Sequence, residues 1–226
     1  MRITSCSFTH PGHTRRVNED SFYADDEKAL WVVCDGMGGH SEGLFASSLA
    51  TDNFAVLELS LNFEQNVERI IQTIHLIKQQ LDKKVAMSNS DDIIGTTLIL
   101  LYIQDNNAVC VSAGDSRCYI LRDNKLSLVN TDHTKDLVVE EQTVQSVLTN
   151  ALYAPGDINI DVKHFSIQKQ DVFLLCSDGL YNNLDNKTIK ETMHSSLYGY
   201  GLKELKEKVL SKNADDNLTG VMVCVF

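Results

Sequence analysis

Two hydrophobic periods run through this 226-residue chain. The helical period is clearest where Phe63, Val67, Ile70, Ile74, Ile77, Leu81 and Val85 recur at steps of 4, 3, 4, 3, 4 and 4. Such steps place them on one face of a helix, with the intervening Glu, Gln and Lys residues facing water. A helix is also predicted after Gly43, running to about residue 59, and two more near 187–197 and 202–211. Short apolar or alternating runs bounded by Gly, Asn or Asp predict strands at 3–8, 21–24 and 30–34. Others follow at 97–103, 108–113, 118–122 and 126–129, separated by the turns Asp105-Asn106-Asn107, Gly114-Asp115-Ser116 and Asp123-Asn124. Turns this tight favour antiparallel neighbours. Residues 131–157 are less regular, with one helix predicted near 138–148, and strands return at 161–167, 172–176 and 218–226.

Strand groups and helix groups are therefore segregated rather than alternating. The predicted fold class is α+β, because two packed antiparallel sheets with helix pairs outside would bury every apolar face. That arrangement is a four-layer α-β-β-α sandwich. With only Pro11 and Pro155, no repeat and no Ser/Gly-rich linker, a single domain over 1–226 is expected.

Composition narrows the functional classes. Hydrophobic residues make up 43% and charged residues 23%, a globular balance. Against 20 Lys and Arg stand 31 Asp and Glu, a net charge of −11. So acidic a body argues against nucleic acid and anionic membranes as partners, since both are polyanions. The first residues, Met1-Arg2-Ile3-Thr4-Ser5-Cys6, lack the apolar core of a signal peptide, and the longest apolar runs are far shorter than a membrane span. The six cysteines form no C-x-x-C pair and several lie in strand-like runs, so reduced, buried thiols and a cytoplasmic setting are expected.

The placement of certain aspartates carries the chemistry. Asp35, Asp115 and Asp178 each follow a predicted strand and Asp216 precedes one; three of them adjoin glycine, in Asp35-Gly36, Gly114-Asp115 and Asp178-Gly179. Any one of these reads as an ordinary turn. Together, with Asn18-Glu19-Asp20, they would bring like charges to converging strand ends, which is costly without compensation. Hard divalent cations such as Mg²⁺ and Mn²⁺ supply it through carboxylate, carbonyl and water oxygens. No His-x-x-His or Cys pair points to zinc.

The ordered motifs Arg15-Arg16-Val17-Asn18-Glu19-Asp20, Asp35-Gly36-Met37-Gly38-Gly39-His40, Gly95-Thr96-Thr97, Gly114-Asp115-Ser116-Arg117, Thr131-Asp132-His133, Leu148-Thr149-Asn150, Ser177-Asp178-Gly179-Leu180 and Asp216-Asn217-Leu218-Thr219 run nearly end to end. In this order the chain resembles the metal-dependent serine/threonine protein phosphatases of the PP2C type, the bacterial members most closely. The resemblance implies two Mn²⁺ or Mg²⁺ ions bridged by Asp35. The Gly36 carbonyl would ligate one of them, Asp178 and Asp216 would complete the first, and Glu19 would serve the second through water, with Asp20 behind it. Arg15 would bind phosphate, with Arg16 as the fallback. A hydroxide shared by the two ions would attack the phosphorus directly, so neither Cys34 nor Cys176 need be a nucleophile. The implied substrates are phosphorylated proteins, the implied partner a Ser/Thr kinase, and the implied state a monomer. A catalytically silent phosphoprotein-binding module is the alternative, which usually loses the metal aspartates that this chain retains.

Departures from the family pattern are expected to matter. Asn182 stands where an aspartate would join Asp115 around a third ion, so that ion is expected to be weakly held or absent. The flap over 131–155 is expected to be shortened, and Leu44 replaces a common Glu. Met37 replaces the histidine of animal members, leaving His40 or a metal-bound water as general acid.

Overall fold

In the computed structural model, residues 1–38, 42–87, 93–139, 143–197, 199 and 201–226 are described, those of 138–139 and 143–146 by backbone alone. The chain opens with β1 (Ile3–His10), β2 (Asp20–Asp25), β3 (Leu30–Met37), α1 (Glu42–Ala55) and α2 (Phe63–Met87). The middle is all strand: β4 (Ile94–Thr96), β5 (Leu98–Gln104), β6 (Asn107–Ala113), β7 (Arg117–Arg122), β8 (Lys125–Leu128), β9 (Thr134–Val139), β10 (Thr143–Leu148), β11 (Leu152–Ala154), β12 (Asp161–Ser166) and β13 (Val172–Cys176). It closes with α3 (Asp178–Tyr181), α4 (Asn186–Ser196), α5 (Gly201–Leu210) and β14 (Leu218–Val225).

Two antiparallel sheets result. One runs β1-β14-β13-β7-β8; the other runs β11-β4-β3-β5-β6-β12, with β2 also on β3. Their facing surfaces bury Trp31, Val33, Ile99 and Leu101 against Phe173, Leu175, Val221 and Val223. The outer face of the longer sheet packs on α1 and α2 through Ile70, Ile74, Ile77 and Leu81. The outer face of the other packs on α4 and α5 through Ile189, Met193, Leu205 and Val209. Each such aliphatic side chain contributes about 1.5–3 kcal/mol when fully buried. The observed order of layers is thus α-β-β-α, as the periodicity predicts. β14 is buried along its whole length because its two faces enter different cores, Val221 and Val223 between the sheets and Leu218 and Met222 beneath α4 and α5, which is why its sequence runs apolar rather than alternating. Asp123 and Asn124 both take positive φ, 49° and 58°, the conformation that a two-residue turn demands.

One prediction fails outright. The helix expected near 138–148 is instead the hairpin β9–β10, in register from Thr143 opposite Val139 to Leu148 opposite Thr134. The β-branched residues Val138, Val139, Thr143, Val144 and Val147 favour the pleated backbone and resist helix packing at χ1. Two three-residue strands, β4 and β11, and the single turn of α3 also went unread. The first helix stops at Ala55 rather than near 59.

Candidate active site

The site lies where the two sheets meet at one end. β3 pairs with β5 up to Val33 opposite Ile99, then turns to β4, pairing Gly36 with Thr96. Asp35 occupies the crossover. Its N–H donates to Thr97 Oγ1 at 3.0 Å, and its carbonyl accepts Thr97 N–H at 2.8 Å and Thr96 Oγ1–H at 2.9 Å. The backbone there leaves no room for a side chain at position 36: a Cβ on Gly36 would come within 2.1 Å of the Gly43 carbonyl oxygen. Glycine at 179 is required in the same way, since a Cβ would meet the Asn217 carbonyl at 2.1 Å.

The register sets Asp20 of β2 directly opposite Asp35 of β3. Two carboxylates opposed in a ladder repel. Asp20 is 4% exposed. One of its oxygens accepts Ser177 Oγ–H at 2.7 Å; the other, Oδ1, is buried with no hydrogen-bond partner among the described residues. Burial, reinforced by Asp178 and Asp216, pushes Asp20 up to about 6. Burial also raises Asp35 well above the carboxylate range, with Asp20, Asp178, Asp115 and Asp216 adding to it. Asp115 is raised to about 6 by burial and then by Asp178, and Asp178 is raised by burial and then by Asp216.

Arg15, Glu19, Asp35, Gly36, Asp115, Asp178 and Asp216 line one cavity of about 310 Å³. Asp20 stands behind its wall, and Arg16 is not part of the lining. Arg15 donates to Asp216 Oδ2 at 2.9 Å, and this bond, with the Asp216 charge, raises the guanidinium further. His40 lies outside the described residues. Burial pushes the Cys34 and Cys176 thiols upward, far from nucleophilic thiolates.

Among the described residues, no three His, Cys, Asp or Glu side chains converge tightly enough to chelate one ion as they stand. The donor set nonetheless fits hard divalent cations. It offers carboxylates and a carbonyl, it concentrates mutually repelling charge, and it leaves Asp20 Oδ1 buried without a partner among the described residues.

Several residues present in the ordered motifs have supporting contacts that the sequence does not reveal. Asn217 is 6% exposed and joins three segments. Its Oδ1 accepts Glu19 N–H at 2.8 Å, while its Nδ2 donates to the Pro11 and Val17 carbonyls at 3.0 and 3.1 Å. The partners lie about two hundred positions away, so no local signal could have found them. His133 fixes the turn that carries Asp115: Nδ1 accepts Gly114 N–H at 3.1 Å, and its own N–H donates to the Gly114 carbonyl at 3.0 Å. With Nδ1 an acceptor, Nε2 carries the proton and donates to Asp161 Oδ2 at 3.1 Å. Arg117 holds Asp132 through two nitrogens, at 2.9 and 2.7 Å, and stacks 3.7 Å over the Tyr181 ring, whose hydroxyl donates to the Asp115 carbonyl. Asn182 donates through Nδ2 to Asp178 Oδ2 at 3.3 Å.

Comparison with known proteins places the fold in a family. Residues 11–218 match the protein phosphatase 2C family. The serine/threonine phosphatase stp of Listeria monocytogenes is 27% identical over 95% of this chain and 93% of its own length. The structure of PppA, a regulatory component of T6SS in Pseudomonas aeruginosa, superposes with a TM-score of 0.91 at 30% identity, covering 100% of this chain and 99% of that one. The catalytic domain of the serine/threonine protein phosphatase PstP, solved with two manganese ions, superposes with a TM-score of 0.78 at 26% identity over 99% of each chain.

Proposed function

Since the chain belongs to the protein phosphatase 2C family, we propose that it is a divalent-metal-dependent protein serine/threonine phosphatase that cleaves phosphoserine and phosphothreonine monoesters by direct attack of water. The observation that carries this reading is the convergence of Arg15, Glu19, Asp35, Gly36, Asp115, Asp178 and Asp216 on one cavity. Asp35 would serve both ions and the Gly36 carbonyl one of them; Asp178 and Asp216 would complete the first, and Glu19 would hold the second through water. A pair of Mn²⁺ or Mg²⁺ ions supplies an acidified water as nucleophile and neutralises charge on the phosphoryl group.

The chain's own residues do the remainder. Arg15 is 54% exposed at the side chain, so it can swing from Asp216 to hold two phosphate oxygens with its planar fork. Asp20, bonded to Ser177, orients the acidic wall from behind. His40 or a water donates the proton to the leaving seryl or threonyl oxygen. No phosphoenzyme is required, consistent with the buried, protonated thiols. Asn182 is neutral and already engaged with Asp178, which supports a weak or absent third ion beside Asp115.

The substrates are phosphorylated proteins supplied by a Ser/Thr kinase. One phosphatase domain spans 1–226, acting as a cytoplasmic monomer beneath a short flap over 131–155. Among the described residues, no helix is long and apolar enough to cross a membrane.

The test is hydrolysis of p-nitrophenyl phosphate with Mn²⁺, with and without EDTA. Turnover should require the metal and fall by about 10²-fold or more in Asp35→Asn. Equal rates for wild type and variant would point instead to a silent binding module.

A further inference from the structure

A second cavity, of about 180 Å³, shares Met37 and Leu148 with the catalytic one. Its other walls are Ile93, Ala151 and Tyr153, with Thr149 and Asn150 beside them. The two polar side chains are already committed to the fold. Thr149 Oγ1 donates to the His133 carbonyl at 2.8 Å. Asn150 donates to the Asn159 carbonyl at 2.7 Å and to His133 Nδ1 at 2.8 Å, and accepts Asn159 N–H at 3.1 Å. What remains for an occupant is apolar surface. Tyr153 is held in place by two close backbone approaches: a Cβ on Gly156 would sit 2.3 Å from its ring, and one on Gly95 would sit 2.7 Å from its own Cβ. Ile93 is 57% exposed, so the pocket can be entered from solvent.

We propose that this pocket receives a large apolar side chain of the phosphoprotein, close in sequence to the phosphorylated residue, and so gives the enzyme a sequence preference. Continuity argues for that occupant. Met37 and Leu148 form a common wall, so a chain with its phosphate among the carboxylates and Arg15 presents a neighbouring side chain to the pocket. Size agrees: the volume lies below the roughly 300–1,000 Å³ of sites for whole small molecules, and suits one side chain. Leu, Ile, Met or Phe would cover the largely apolar lining, whereas the charge of Asp, Glu or Lys would give up water for it. The inference rests on the phosphatase reading above.

The experiment measures kcat/KM, with Mn²⁺, for phosphothreonine peptides in which each flanking position is varied singly. Wild type should favour a large apolar residue over Asp or Gly at one position by about tenfold or more. Ile93→Asp and, separately, Tyr153→Ala should reduce that preference to near unity while leaving p-nitrophenyl phosphate turnover unchanged. A flat profile in an active wild type, or a preference that survives both variants, overturns the subsite alone. Failure of wild type to turn over p-nitrophenyl phosphate with Mn²⁺ overturns the phosphatase reading and the subsite with it.

Discussion

At the scale of single residues, the site is built from groups that dislike one another's company. Asp20 faces Asp35 across a ladder, Asp178 and Asp216 raise the tension from the other sheet, and Asp115 adds to it from the turn between β6 and β7. Arg15 moderates it by pairing with Asp216, and Asn182 stands at the edge of the cluster. Its amide donates to Asp178 without adding charge. Asn182→Asp should therefore destabilise the metal-free protein, by about 1 kcal/mol for an exposed added charge near two others, and should add a titratable Mn²⁺ site next to Asp115. Isothermal titration with Mn²⁺ checks the second part, and an unchanged stoichiometry would refute it.

At the scale of elements, the hairpin β9–β10 and the turn at Gly114 act together through His133. Gly114 N–H and Asn150 Nδ2 both donate to His133 Nδ1, at 3.1 and 2.8 Å, so the segment that ends the hairpin is tied through this side chain to the strand end that carries Asp115. His133→Ala should cost about 1–3 kcal/mol and speed amide exchange in 143–150 more than in β13; His133→Asn, which keeps an acceptor, should recover part of both. Uniform exchange across the protein would argue against this link. The long amphipathic helix and the strands of the two cores were legible because their apolar spacing is regular. The carboxylates were legible because each sits at a strand end beside a turn. What could not be read was tertiary. Val138 to Leu148 carries a spacing that serves helix or strand, and β-branching decided it. β4 and β11 are too short to carry a period. Asn217 shows its role only through partners at Pro11, Val17 and Glu19.

At the scale of the whole molecule, the net charge of −11 is unevenly worked. Asp20 and Asp115 hold their protons to about 6, against 3.8 ordinarily. Between those values the folded chain binds more protons than the unfolded one, so metal-free stability must fall as pH rises through that window, by at most roughly 3 kcal/mol per group. Ions bound to ionised carboxylates reverse the sign, because protons then compete with metal. Thermal unfolding should show EDTA-treated protein losing stability from about pH 4 to pH 7, and Mn²⁺-saturated protein gaining it. Parallel curves would contradict the placement of the repulsion.

The sheet order adds a matter of timing. Arg15 and Glu19 belong to the first segment of the chain, yet they are held by Asp216 and Asn217, just before β14. That last strand inserts between β1 and β13 rather than adding at an edge. A chain emerging from the ribosome therefore carries its early half of the phosphate site unassembled until β14 has been made. Activity arrives with closure, and a chain cut short before β14 has no means of acquiring it.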